Sequence, residues 1–126
     1  MDGLTVKEIL ERIGLNEYCE TFKRNEFDLE SFMKLEDKDF KELDIPSSSR
    51  KVIKKEIQNI NIRNTLGRIG LSKYCHVFEK NEYSFENFLN VNDKDLTKLK
   101  IPLAPKKKIL EEIQRIKDSR KSGKLH

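Results

Sequence analysis

The stretch at residues 13–27, IGLNEYCETFKRNEF, returns at 69–83 as IGLSKYCHVFEKNEY, a fixed offset of 56 residues. Without a gap, residues 10–60 align with 66–116, and 24 of the 51 pairs are identical, so the likeness runs through a whole unit and not through one helix. Gly14/Gly70, Tyr18/Tyr74, Cys19/Cys75, Phe22/Phe78, Phe32/Phe88, Asp37/Asp93 and Ile57/Ile113 are among the matches. The chain is therefore a tandem duplication. A period above 50 residues is longer than most solenoid repeats, so each copy is expected to hold its own core. The expected boundaries are a first domain over 4–60, a second over 61–117 and a basic flexible tail over 118–126. Each copy is close to the lower size limit, roughly 60 residues, for folding without staples.

Charged residues make up 38% of the chain and its mean hydropathy is −0.74, yet the apolar residues fall in regular stripes, which favours solvated helices over disorder. No apolar run approaches the length of a membrane span and no signal peptide opens the sequence, which points to a soluble, cytoplasmic piece. Cys19 and Cys75 occupy equivalent places in two copies, so they are poorly placed to bond each other. Each falls in a helical stripe with its Tyr and Phe neighbours and reads as a buried, inert thiol. His76 follows Cys75, but neighbours on a helix point about 100° apart, and no second Cys/His pair exists. No metal and no cofactor is expected.

Within the first copy Val6, Ile9, Leu10 and Ile13 make a helical stripe that Gly14 ends. Asn16 offers an N-cap for a second helix with Tyr18, Cys19 and Phe22. Short apolar bursts follow, and Glu36 or Asp37 can start a central helix that Pro46 stops. Ser47 and Ser48 can cap the last and longest helix, with Ile53, Ile57 and Ile60 at helical spacing. Five helices per copy and no strand follow. The expected core is Tyr18, Cys19, Phe22, Phe32, Leu43, Ile53 and Ile57, with Tyr74, Cys75, Phe78, Phe88, Leu99, Ile109 and Ile113. No Gly, Pro or Ser separates Ile60 from Ile62, so a flexible linker is not expected. If the helix runs straight through Asn61, the step between those two isoleucines turns about 200° and their stripes serve separate cores; a kink at Asn61 is the alternative. The fold class is all-α, two tandem five-helix bundles packed as one rigid unit.

The order of a short first helix, IGL-x-x-Y-x-x-x-F-x-x-N-E, a central L-x-x-x-D-L/F-x-x-L-x-I segment and a basic R/K-K-x-I-x-x-x-I final helix resembles the sterile alpha motif (SAM) domain. The resemblance covers both copies, 6–60 and 62–116. Two departures stand out: Ile9 and Thr65 replace the tryptophan common in the first helix, and Ser48 and Ala104 replace the glycine usual before the last. The resemblance implies a non-catalytic binding module that associates with other SAM domains or with itself. In such modules an acidic central face docks on a basic final-helix start, some assemble into polymers, and a minority bind RNA hairpins.

The charge distribution fits that expectation. Residues 1–60 carry 11 bases against 14 acids, a net of −3, and residues 61–126 carry 15 against 8, a net of +7. Copy one gathers Glu36, Asp37, Asp39, Glu42 and Asp44 in its centre. The basic helix starts hold Arg50, Lys51, Lys54 and Lys55 in copy one and Lys106, Lys107 and Lys108 in copy two. Clustered opposite charge steers encounter and fixes register, so these are the expected protein-interaction residues of a scaffold or adaptor. The alternative is RNA binding through the basic helix starts and the tail, favoured by a sequence pI near 9.0 but opposed by the acidic first copy and the lack of interleaved aromatics. An enzyme is not expected. The acid pairs Asp37/Asp39 and Asp93/Asp95 have no nucleophile, no phosphate loop and no Ser/Cys-His partner, so no small-molecule substrate is expected either.

Overall fold

A computed structural model describes residues 5–124, with side chains described through residue 121. The expected domain start at residue 4 and the last two tail residues lie outside this range. In chain order the helices are α1 (Val6–Arg12), α2 (Cys19–Arg24), α3 (Leu29–Met33), α4 (Asp37–Glu42), α5 (Ser47–Arg68), α6 (Cys75–Lys80), α7 (Phe85–Leu89), α8 (Asp93–Lys98) and α9 (Leu103–Lys124), with 3-10 turns at Asn16–Tyr18 and Ser72–Tyr74. No strand occurs among the described residues. The chain divides into two compact units between Ile57 and Gln58, inside α5. The tenth helix of the expected pair of five-helix bundles is thus the C-terminal part of α5, which runs unbroken through Asn61.

In unit 1 the core is Ile9 and Leu10 of α1, Phe22, Phe32, Phe40, Ile45, Ile53 and Ile57, all buried. Phe22 meets Phe27 and Phe32 edge to face at 5.3 and 5.4 Å between ring centres, separations at which aromatic pairs attract through their quadrupoles. Unit 2 repeats the plan with Ile62, Leu66, Phe78, Phe88, Leu96, Ile109 and Ile113 in one cluster. There Phe78 meets Tyr83 and Phe88 at 5.3 and 5.0 Å. Tyr18, Cys19, Leu43, Tyr74 and Leu99, expected in the core, are only half-buried. Phe40 and Leu96, each three residues before one of those leucines, are fully buried instead.

The ends of the short helices differ from expectation in three places. Asn16 is not an N-cap: it opens a 3-10 turn without a side-chain cap, because Tyr18 N–H already reaches Leu15 O at 3.0 Å. Pro46 does not stop α4. Asp44 does, at φ 56°, with its N–H on Lys41 O at 3.1 Å and the Ile45 N–H on Phe40 O at 3.0 Å. Ser47 is already helical, and Pro46 O accepts the Arg50 N–H at 2.9 Å. Gly14 does end α1, at φ 76°, where the Leu15 N–H closes on Leu10 O at 2.8 Å.

The segment expected as a flexible tail from residue 118 is helical through Lys124 as the end of α9. Among the described residues, three contacts involve it. Arg120 Nη1 lies 3.2 Å from Glu86 Oε2 with its guanidinium over the Phe85 ring, and Gln114 Nε2 donates to Asp118 Oδ1 one turn on at 3.0 Å.

Candidate interaction surfaces

The central helix of copy one carries its acids where helix starts favour them. Asp39, in the first turn of α4, accepts the Glu36 N–H at 2.9 Å, a reciprocal cap that fixes the entry of the chain. Asp37 accepts from Lys54 Nζ at 2.8 Å. The Lys54 hydrogen bond, followed by its charge, holds the Asp37 carboxyl below the usual carboxylate range. One expected acidic residue and one expected basic residue therefore neutralise each other across α4 and α5 of the same unit.

Copy two does the same with a different base. Lys106 Nζ lies 2.9 Å from Asp93 Oδ1 and donates to Thr97 Oγ1 at 2.9 Å, and its side chain is only 13% exposed. Asp37 and Asp93 are aligned positions, but Lys54 sits one helical turn beyond the position aligned with Lys106, which in copy one is Arg50. Arg50 lies over the Phe40 ring at 5.9 Å, with a buried Nε that has no hydrogen-bond partner. Arg50 and Lys106 thus belong partly to the packing of their own units.

The remaining expected residues are open. Glu36 is exposed, and its ion pair with the exposed Lys38 is long, at 3.5 Å. Glu42 and Asp44 at the end of α4 are exposed. Lys51 and Lys55 on α5 and Lys107 and Lys108 on α9 are exposed as well. Sequence reasoning missed what stands beside the bases. Leu103, at the first turn of α9, is 64% exposed, and Val52 on α5 is 41% exposed. Leu103 and Lys107 are four residues apart and share one face of the helix. The signal was available in the alignment, where Leu103 replaces the polar Ser47.

Among the described residues no group of three or more His, Cys, Asp or Glu is placed to hold a metal ion, and no helix is long and apolar enough to cross a membrane. Both cysteines are free. Cys75 is buried, and that burial, with Glu79 adding to it, raises its thiol pKa, which leaves it a weak nucleophile. Cys19 is half-buried and lines a groove of about 640 Å³ together with Val6, Phe22, Phe27 and Leu29.

The family model for the SAM domain (Sterile alpha motif) matches the chain twice, over residues 3–61 and 60–117. No curated protein and no solved structure matches it. SAM domains are non-catalytic modules that generally mediate protein–protein interaction, commonly with other SAM domains. Two matches that between them cover nearly the whole helical chain place it in the sterile alpha motif family, as a tandem pair of SAM domains.

Proposed function

We propose that the chain is a scaffold or adaptor piece that associates with SAM domains, its own or a partner's, through two surfaces of opposite charge. One is the exposed acidic end of α4 in copy one, carried by Glu42 and Asp44 with Glu36 at the other end of the helix. The other is the start of α9 in copy two, carried by Lys107 and Lys108 around the exposed Leu103. The observation that supports this reading best is that pairing: an apolar side chain 64% exposed on the same helix face as a lysine without an ion-pair partner among the described residues. An apolar anchor ringed by charge is the usual anatomy of a small interface. Asp37, Asp39 and Lys106 support the same surfaces from within, by holding α4 and the first turn of α9 in place.

Because the two surfaces differ, a contact between them is heterologous and either closes a ring or extends as a filament. Light scattering across concentration and salt tests it. The parent chain should gain mass at low salt and lose it as salt shortens the Debye length from about 10 Å at 0.1 M to about 3 Å at 1 M. Glu42→Lys with Asp44→Lys should weaken association, as should Lys107→Glu with Leu103→Ser. Mixing the two variants should restore one good interface and cap growth at dimers. A parent chain that stays monomeric at high concentration and low salt rules out self-association and leaves a partner SAM domain as the target.

A further inference from the structure

Unit 2 carries a second basic feature, remote in sequence from the start of α9. The helix α6 and the last turn of α8 flank a groove of about 340 Å³ lined by His76 and Lys80 of α6, Asn81 after it, Lys98 of α8, and Lys100 just beyond, with Val77 and Leu99 between them. The histidine and the three lysines are exposed, and none has an ion-pair partner among the described residues. Lys106, by contrast, is neutralised by Asp93.

Lysines near a helix C-terminus are ordinarily explained by the negative end of the helix dipole. The first copy removes that explanation here. Its aligned residues are Glu20, Arg24, Glu42 and Asp44, so three of the four positions carry a carboxylate in place of a basic or imidazole group. Much of the surroundings is shared between the copies: Phe22/Phe78, Asn25/Asn81 and Leu43/Leu99 are identical pairs, while Val77 stands where copy one has Thr21. Asp44 and Lys100 even share the same left-handed backbone, at φ 56° and 64°. The fold tolerates acids at these positions, so its own stability does not require the bases.

We infer that this groove binds an anion bearing two neighbouring phosphate groups, such as a diphosphate or a bisphosphate. Lysines on flexible stems act as point charges that can gather around the several oxygens of a phosphate, whatever its orientation. Three lysines and an imidazole match an anion of several charges better than a single carboxylate. No Phe, Tyr or Trp lines it to stack a nucleobase, which favours the phosphate itself over an RNA strand.

The test uses the full chain and inorganic pyrophosphate, followed by calorimetry and by the amide NMR shifts of Lys98 and Lys100. The variant His76→Glu, Lys98→Glu, Lys100→Asp installs the residues that copy one already carries at those positions, and circular dichroism confirms that it stays helical. It should bind pyrophosphate more weakly by about tenfold or more, as expected for losing charge-assisted hydrogen bonds. The reciprocal variant Glu20→His, Glu42→Lys, Asp44→Lys should add a second site on unit 1. Phosphatidylcholine vesicles with and without phosphatidylinositol bisphosphate separate the sources: capture by the bisphosphate vesicles assigns a lipid headgroup, and binding of pyrophosphate alone assigns a soluble anion. The proposal is overturned if neither probe binds, if the parent and the charge-exchanged variant bind equally, or if only a structured RNA gives a response that the exchange removes.

Discussion

Arg68 donates from Nε and Nη2 to a single oxygen of Glu112, at 3.2 and 3.1 Å, and so ties the end of α5 to the middle of α9. Fifty-six residues earlier Arg12 makes the same bond to Glu56, between the end of α1 and α5. In both copies the carboxylate is buried while the arginine reaches it from a half-exposed position. The pair explains how each unit admits a buried acid in its last helix. A buried carboxylate without a cation is costly, and one that keeps its partner is tolerated.

Breaking this tie has a defined pH signature in copy two. Arg115, first through its hydrogen bond, and then Arg68 hold the Glu112 pKa below its ordinary 4.5. A depressed folded-state pKa means that the unfolded chain takes up the proton first as pH falls. The stabilisation is therefore complete above about pH 4.5, the ordinary value, and is lost as pH drops through the folded pKa. Arg68→Met should cost about 1–3 kcal/mol at neutral pH, since it leaves the acid with one cation only. Glu112→Gln should flatten the fall in stability at acid pH. Chemical denaturation of parent and variants between pH 3 and pH 7 reads both effects, and an unchanged acid limb in the Glu112→Gln chain refutes the assignment.

Phe22 and Phe78 sit at equivalent centres of the two cores, each nearly or fully inaccessible and each in edge contact with two further rings. Phe22→Ala or Phe78→Ala should cost about 3–5 kcal/mol, the usual loss for emptying a buried ring site. That is a large share of the stability of a domain this small. A melting temperature within a few degrees of the parent for either variant contradicts the packing described.

How much of this was legible depended on element length. The duplication and the long final helices were readable because they offer many turns of periodic signal, and Phe22, Phe32, Ile53 and Ile57 fell where the stripes place them. The helices α4 and α8 span only six residues each, too few for a period to declare which side is buried, so it does not separate the half-buried Leu43 and Leu99 from the buried Phe40 and Leu96. The sign of each charged cluster was equally legible. That Asp37 reaches Lys54, and Asp93 reaches Lys106, was not, because those partners lie on different helices and their meeting depends on packing. The basic groove beside Lys98 was also readable in principle, from the charge reversal between aligned positions.

The unbroken run of α5 makes a prediction about its middle. Asn61 is helical and its carbonyl accepts the Thr65 hydroxyl at 2.9 Å, and Thr65 itself is buried. Native-state hydrogen exchange should therefore show amides 58–65 as protected as those of 53–57, since each N–H bonds one turn back along the same helix. A patch of fast exchange limited to residues 59–62 would show a break at Asn61 instead.

Among the described residues, four other than glycine take the left-handed conformation, and they form two aligned pairs: Glu26 with Glu82, and Asp44 with Lys100. Each follows the end of a short helix, the place where glycine is preferred because an L side chain crowds its own carbonyl there. At Glu26 the closing bonds are intact, with the Glu26 N–H on Lys23 O at 2.9 Å and the Phe27 N–H on Phe22 O at 3.0 Å. The second bond delivers Phe27 onto Phe22, so the strained residue is what brings the two rings together. Left-handed strain of about 1–2 kcal/mol per residue is set against an entropic cost of about 0.5–1 kcal/mol for glycine. Glu26→Gly should consequently be neutral to stabilising, by up to about 1 kcal/mol. Glu26→Val places a β-branched side chain in the same conformation and should be the least stable of the three. Urea denaturation of the parent and both variants gives the ranking, and a Glu26→Val chain as stable as Glu26→Gly means that residue 26 does not hold the left-handed turn in solution.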